Sequence, residues 1–159
     1  MVSKKDLRSI VILGYLTDEM FDKLIPVTEL LTFEKGEVIF REGNLADRFY
    51  MLKRGKILLE KRISDHVTVS LGAIKPGYSF GWSALLGEGS YTSDPVSAET
   101  SEIFSIKREH IVPLFENDHH MGYMLFQRFL REVKSRLDRR TEQFLRAVKN
   151  HPDMDVLLE

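Results

Sequence analysis

The chain of 159 residues holds no cysteine and carries a formal net charge of −1 at pH 7; this excludes a disulfide framework, a thiol nucleophile and a thiolate metal site and leaves no general pull toward nucleic acid. Its length and its 43% of hydrophobic residues suit one soluble domain, residues 1–159, able to bury a core without covalent staples. The opening run M-V-S-K-K-D-L-R-S-I-V-I-L-G-Y-L has only a short apolar stretch broken by charge, unlike a signal peptide or a spanning helix, so a cytoplasmic protein with no membrane partner is expected.

In chain order, residues 1–27 predict N-terminal helices. Residues 4–14 carry a weak helical pattern. A stronger helix starts at Thr17, an N-capping residue followed by Asp18 and Glu19, with Met20, Phe21, Leu24 and Ile25 on its buried face. Over residues 28–106 the texture changes to short runs rich in Val, Ile, Phe, Tyr and Thr, punctuated by Gly36, Gly43, Gly55, Gly72 and Gly77. That texture predicts an antiparallel β-barrel or jelly roll, making the chain mainly β with helices at both ends. Val67, Val69 and Leu71 alternate with Thr68 and Ser70, facing opposite ways along one strand, with Ser64-Asp65 as the turn before it.

Residues 77–98, G-Y-S-F-G-W-S-A-L-L-G-E-G-S-Y-T-S-D-P-V-S-A, interrupt the strands with a loop, a short helix and a second loop. Gly77 and Gly81 permit backbone angles and close approaches that a side chain forbids, and Trp82 to Leu86 reads as a one-turn helix whose leading N–H groups lack internal partners. Such a helix start can hold an anion, so the stretch reads as a ligand cradle, with Gly81 keeping the backbone donors open. Pro95 removes a ladder donor and predicts an edge or irregular strand.

Two stretches resemble the cyclic nucleotide-binding domain family. Phe80, Gly81, Ala84, Leu85, Leu86, Thr92 and Val96 match its phosphate-binding cassette, and K-G-E-V-I-F-R-E-G-N-L-A-D-R-F-Y-M-L-K-R-G-K-I-L-L resembles its opening strands, with Gly36, Gly43 and Gly55 on the turn glycines. The resemblance covers about residues 17–137. It implies a cassette over 77–98, ligand-binding residues Phe80, Gly81, Trp82, Ser83, Ala84, Tyr91 and Thr92, and cyclic AMP, cyclic GMP or another small molecule as the effector. Two positions depart from the family pattern: its ribose-binding Glu falls on Trp82 and its phosphate-binding Arg on Tyr91. An indole and a phenol do not replace a carboxylate on a sugar hydroxyl or a guanidinium on a phosphate. Trp82 is then a ligand contact or an apolar plug, and Tyr91 a neutral hydrogen-bond donor or a strand tyrosine reaching toward solvent. Asp94 adds an acid near the expected phosphate position with no compensating Arg.

After Ile106 the segment R-E-H-I-V-P-L-F-E-N predicts a short helix, started or kinked by Pro113, leading into a long one, so that helices occupy 107–149 and a tail 150–159. Tyr123, Phe126, Leu130, Val133, Leu137, Arg140, Phe144 and Ala147 follow a 3-4 spacing like a heptad seam, which predicts a homodimer through this helix. Eight Lys or Arg against three Asp or Glu over residues 121–149 read as a solvated face. In the catabolite-activator branch of the family the corresponding helix forms the dimer interface and reaches the ligand pocket. The resemblance therefore adds Val133 and Ser135, with Lys134 between them, to the ligand-binding set. The ten residues after Lys149 cannot build a helix-turn-helix, so this chain alone is expected not to bind DNA.

Barrels of this kind also host metal-dependent cupin enzymes, which need closely spaced strand histidines. Here His66 is alone in the strand region, and His110, His119, His120 and His151 fall on helices, caps or the tail. Asp118-His119-His120 reads as a solvated helix start. No metal, cofactor or catalytic residue is expected, and the chain reads as a non-enzyme. The leading expectation is a small-molecule-sensing regulatory domain that relays through the long helix. The alternative is a ligand-free dimerisation or interaction module with Trp82 filling the cavity.

Overall fold

The computed structural model describes residues 2–87 and 89–152. Packing divides the chain into two compact units, Met1–Met124 and Leu125–Glu159, each described by itself. Residues 153–159 of the expected tail lie outside the described residues.

Helix α1 spans Lys4–Arg8 behind a capping box in which the Ser3 hydroxyl accepts from the Asp6 N–H. The helical pattern expected to continue to residue 14 stops there. Ile10, Val11, Ile12 and Gly14 are weak helix formers, and the backbone instead turns through i to i+3 bonds, Ile10 N–H to Leu7 O, Leu13 to Ile10 and Leu16 to Leu13. Those turns bury Ile10, Ile12, Leu13 and Leu16. Helix α2, Asp18–Leu24, starts as expected with the Thr17 hydroxyl accepting from the Met20 N–H, and it buries Met20, Phe21 and Leu24. Ile25 was expected on the same face. It begins a 3-10 turn, Ile25–Val27, because Pro26 fits the first positions of such a turn and ends the α-helical ladder.

Among the described residues seven strands follow: β1 (Thr28–Phe33), β2 (Arg48–Arg54), β3 (Ile57–Ser64), β4 (Val67–Ile74), β5 (Ser79–Phe80), β6 (Asp94–Ser97) and β7 (Ser101–Lys107). One sheet has the order β1-β7-β2-β5 and the other β4-β3-β6, with antiparallel pairing throughout. This is the expected antiparallel β-barrel. Phe49, Tyr50, Met51 and Leu52 are consecutive and all buried, so β2 is covered on both faces and carries the core. The β3–β4 hairpin behaves differently. β6 pairs β3 only from Ile57 to Glu60, so beyond that point the ribbon has no third strand, and residues 61–70 are exposed on both faces. The alternation of Val67, Val69 and Leu71 with Thr68 and Ser70 thus sorts no core from solvent at its outer end. Pro95 sits as expected on an edge strand, β6, and its carbonyl accepts from the Ile39 N–H of the loop before β2.

After β5 comes α3, Ser83–Leu86; β7 runs directly into α4, Arg108–Asn117, and Asp118 alone separates α4 from α5, His119–Lys149. Pro113 lies inside α4, which starts five residues earlier with Lys107 as its cap. Asp118 holds the corner: its carboxylate accepts from the Met121 N–H at 2.9 Å and pairs with Lys23 at 2.6 Å. Among the described residues no helix is long and apolar enough to cross a membrane.

Candidate effector site

The loop into the cassette is pinned to the central strand by two bonds, Gly77 N–H to Leu52 O and Leu52 N–H to Tyr78 O. Ser79 and Phe80 then pair with Met51 and Tyr50. At Gly81 the backbone turns into the left-handed region, φ +74°, and a Cβ there would lie 2.9 Å from Tyr50 Cδ2 and 3.2 Å from the Arg48 carbonyl oxygen. Glycine is required at this point by conformation and by space. The expectation that Gly81 serves chiefly to open donors to a ligand therefore has a packing rival.

Helix α3 begins one residue later than expected, with Trp82 as its cap residue in right-handed helical geometry, and Gly87 closes it at φ +79°. Ala84 N–H bonds the Gly81 carbonyl and Leu85 N–H the Trp82 carbonyl, so the Ser83 N–H heads the turn. The Trp82 indole N–H donates to the Ser79 hydroxyl at 2.9 Å. The ring is half-buried, so Trp82 is a fixed aromatic wall beside the turn and does not fill the barrel.

The interior is filled by other rings. Phe40, Tyr50, Phe80 and Tyr91 form one cluster, with Phe40 and Tyr91 stacked at 3.6 Å between centroids and Tyr50 and Phe80 stacked at 5.3 Å. Tyr91 is 3% exposed. Its hydroxyl donates to the Arg48 carbonyl at 2.7 Å and accepts from the Arg48 N–H at 3.1 Å. A phenol has one proton to donate, and this one is committed, so Tyr91 neither offers a phosphate donor nor reaches solvent. Burial pushes both the Tyr91 and the Tyr50 phenols above their ordinary value, which keeps the cluster neutral.

Asp94 also differs from expectation. Its carboxylate pairs with Arg41 at 3.2 Å and accepts from the Glu42 N–H at 2.5 Å, so a compensating arginine is present. Thr92 is exposed, and its carbonyl lies 3.5 Å from the Lys61 ammonium, which also pairs with Glu42. The start of β6 is therefore lined by balanced charge.

Phe80 to Ala84 form one continuous turn in the first unit, and Tyr91 joins Phe80 through the aromatic cluster. Val133 and Ser135 stand on α5 within the second unit, both exposed, with the Ser135 carbonyl accepting from Arg139 Nε. Phe40, Tyr50, Arg48, Arg41 and Arg108 went unmarked in the sequence. Phe40 ends the apolar run Val38-Ile39-Phe40, a signal that could have marked it for the core; the arginines carried no local signal.

The family model for the cyclic nucleotide-binding domain matches residues 30–118, from β1 through α4. The chain belongs to the cyclic nucleotide-binding domain family. A curated relative, the cyclic AMP receptor protein of Thermus thermophilus, is 28% identical over 127 residues, covering 77% of this chain and 58% of that protein. The chain thus spans little more than half the length of that relative. A Geobacter metallireducens crystal structure assigned as cyclic nucleotide-binding aligns with TM-score 0.75 and 28% identity, covering 86% of this chain and 99% of that one. A cyclic nucleotide-binding domain from Methylobacillus flagellatus aligns with TM-score 0.78 over 90% of this chain at 15% identity, which speaks to the fold alone. An indole, Trp82, and a buried phenol, Tyr91, stand at the two positions where the resemblance would set the family's charged contacts.

Proposed function

We propose that this chain is a regulatory, non-catalytic domain that takes a small effector at residues 80–92 and relays its presence through the helices that follow the barrel. The observation that carries the reading is the cassette backbone itself. Gly81 at φ +74° and Gly87 at φ +79° bracket a single helical turn held against the central strand, a shape that sets the Ser83 N–H at the head of the turn toward a ligand whatever the side chains do. Membership of the cyclic nucleotide-binding domain family supports a nucleotide-like effector, with cyclic AMP and cyclic GMP the first candidates.

Trp82 shifts the preference toward a flat, less anionic ligand, because a fixed indole offers stacking surface where a carboxylate would hold a sugar hydroxyl. Tyr91 contributes shape and no free hydroxyl. On α5 the exposed faces of Tyr123, Phe126, Leu130, Val133, Leu137 and Phe144 favour assembly as a homodimer along that helix. A cytoplasmic site of action fits a nucleotide-type effector.

Trp82 is the sole tryptophan, so its emission reports on the cassette directly. Titration with cyclic AMP, cyclic GMP and neutral aromatic nucleosides is expected to give a saturable change in Trp82 emission for at least one of them. Silence toward all, in a folded protein, would count against the sensing role and in favour of a module that acts by assembly only.

A further inference from the structure

The chain path from α3 to α4 runs through some twenty residues of loop, β6 and β7, so connectivity alone couples them poorly. A direct contact bridges them. Arg108 is the first residue of α4; its backbone N–H donates to the Asp47 carbonyl at 2.7 Å, fixing where the helix begins. Its guanidinium reaches the other way, with Nη1 donating to the Ala84 carbonyl at 2.5 Å inside α3. The last carbonyls of a helical turn have no intrahelical partners, and a cation is the favourable group to meet them.

Gly87 shows that the guanidinium's place is part of the packing. An ideal Cβ at Gly87 would lie 2.9 Å from Arg108 Nη2 and 3.5 Å from Cζ, so the glycine that ends α3 also makes room for the arginine over that end. The contact joins a partly buried cation to a peptide carbonyl, a charge-assisted bond stronger than a neutral one. The planar fork holds its direction better than a lysine ammonium does.

We propose that Arg108 is a positioning residue that locks the cassette helix to α4, so that any displacement of α3 and any resetting of the start of α4 occur as one event. The ligand half of this inference rests on residues 80–92 being the effector cradle. The lock itself is a property of the chain without ligand.

Hydrogen exchange followed by mass spectrometry on the full chain tests it, comparing wild type, Arg108→Met and Arg108→Lys, each with and without saturating cyclic AMP, with urea unfolding as the global control. Without ligand, Arg108→Met is expected to speed exchange in both segments 83–87 and 108–112 by roughly tenfold or more, the effect of losing a charge-assisted bond. Exchange in β2 and β7 should stay at the wild-type rate, and Arg108→Lys should fall between. With cyclic AMP bound, wild type should slow in both segments and Arg108→Met only in 83–87. The lock is overturned if either segment keeps its wild-type rate in ligand-free Arg108→Met, or if the whole barrel accelerates equally. If cyclic AMP leaves wild-type exchange unchanged, cyclic AMP fails as the effector, while the ligand-free comparison still decides the lock.

Discussion

Tyr91 stacks on Phe40 with ring centroids 3.6 Å apart and an interplanar angle of 17°, while its hydroxyl closes on the backbone of Arg48. The position matched to a phosphate-binding arginine is thereby a core position. Tyr91→Phe should cost roughly 1–3 kcal/mol of stability by leaving the Arg48 N–H and carbonyl short of a partner, read as a lower urea midpoint with unchanged slope. Tyr91→Arg should be far worse, because it drives a charge in among the three remaining rings, Phe40, Tyr50 and Phe80. Thr92, exposed one residue on, can carry an arginine in solvent. Trp82→Glu with Thr92→Arg should stay folded and gain cyclic AMP affinity by at least about tenfold in calorimetry, each charge-assisted bond being worth roughly 1.5–3 kcal/mol.

Gly81→Ala tests whether the cassette entrance is set by packing. A methyl group there meets Tyr50 and the Arg48 carbonyl at φ +74°, so a loss of roughly 1–3 kcal/mol is expected from strain in the left-handed region alone. A wild-type urea midpoint for this variant would show that the turn relaxes freely.

The barrel was legible in the sequence because its signals are local. Glycine-punctuated β-branched runs name the strands, Thr17 names the start of α2, and Pro95 names an edge. What stayed hidden depends on partners distant in sequence. Nothing near Tyr91 announces that Phe40 and the Arg48 backbone will claim both its ring and its hydroxyl, and nothing near Asp94 announces Arg41. The outer hairpin shows the converse: Val67 and Val69 alternate as buried strand residues do, yet β6 pairs with β3 only as far as Glu60, and both faces of the two-stranded ribbon beyond it are exposed.

Acid should weaken the fold in a defined direction. The Lys23 ammonium and the Met121 N–H hold the Asp118 carboxyl below its ordinary 3.8, and Arg48 holds Glu29 below 4.5. A carboxyl whose folded value is depressed binds fewer protons folded than unfolded, so its contribution is present above the unfolded value and fades as the pH falls through the folded one. Urea midpoints should therefore drop progressively below about pH 4.5. Asp118→Asn should start lower at pH 7 and converge with wild type in acid; parallel profiles would show that the corner pair adds nothing.

On α5, Leu130 is 70% exposed and Leu137 is 62% exposed, two large apolar groups on the 3-4 seam with solvent over them. Leu130→Glu with Leu137→Glu should convert a dimer into a monomer in sedimentation velocity at micromolar concentration without changing the far-ultraviolet spectrum. A wild-type monomer at high micromolar concentration would mean that the seam has been misread or that Arg140 disrupts it.

In the proposed site, rings replace the charged contacts on a cassette-like backbone, and calorimetric titration of the wild-type chain with cyclic AMP measures the consequence directly. Two missing charge-assisted bonds, at roughly 1.5–3 kcal/mol each, remove on the order of a hundred- to ten-thousand-fold in affinity if they add. The predicted result is binding that is weak, with a dissociation constant of about ten micromolar or above, and that strengthens in Trp82→Glu with Thr92→Arg. Sub-micromolar binding of cyclic AMP to the wild-type chain would contradict it.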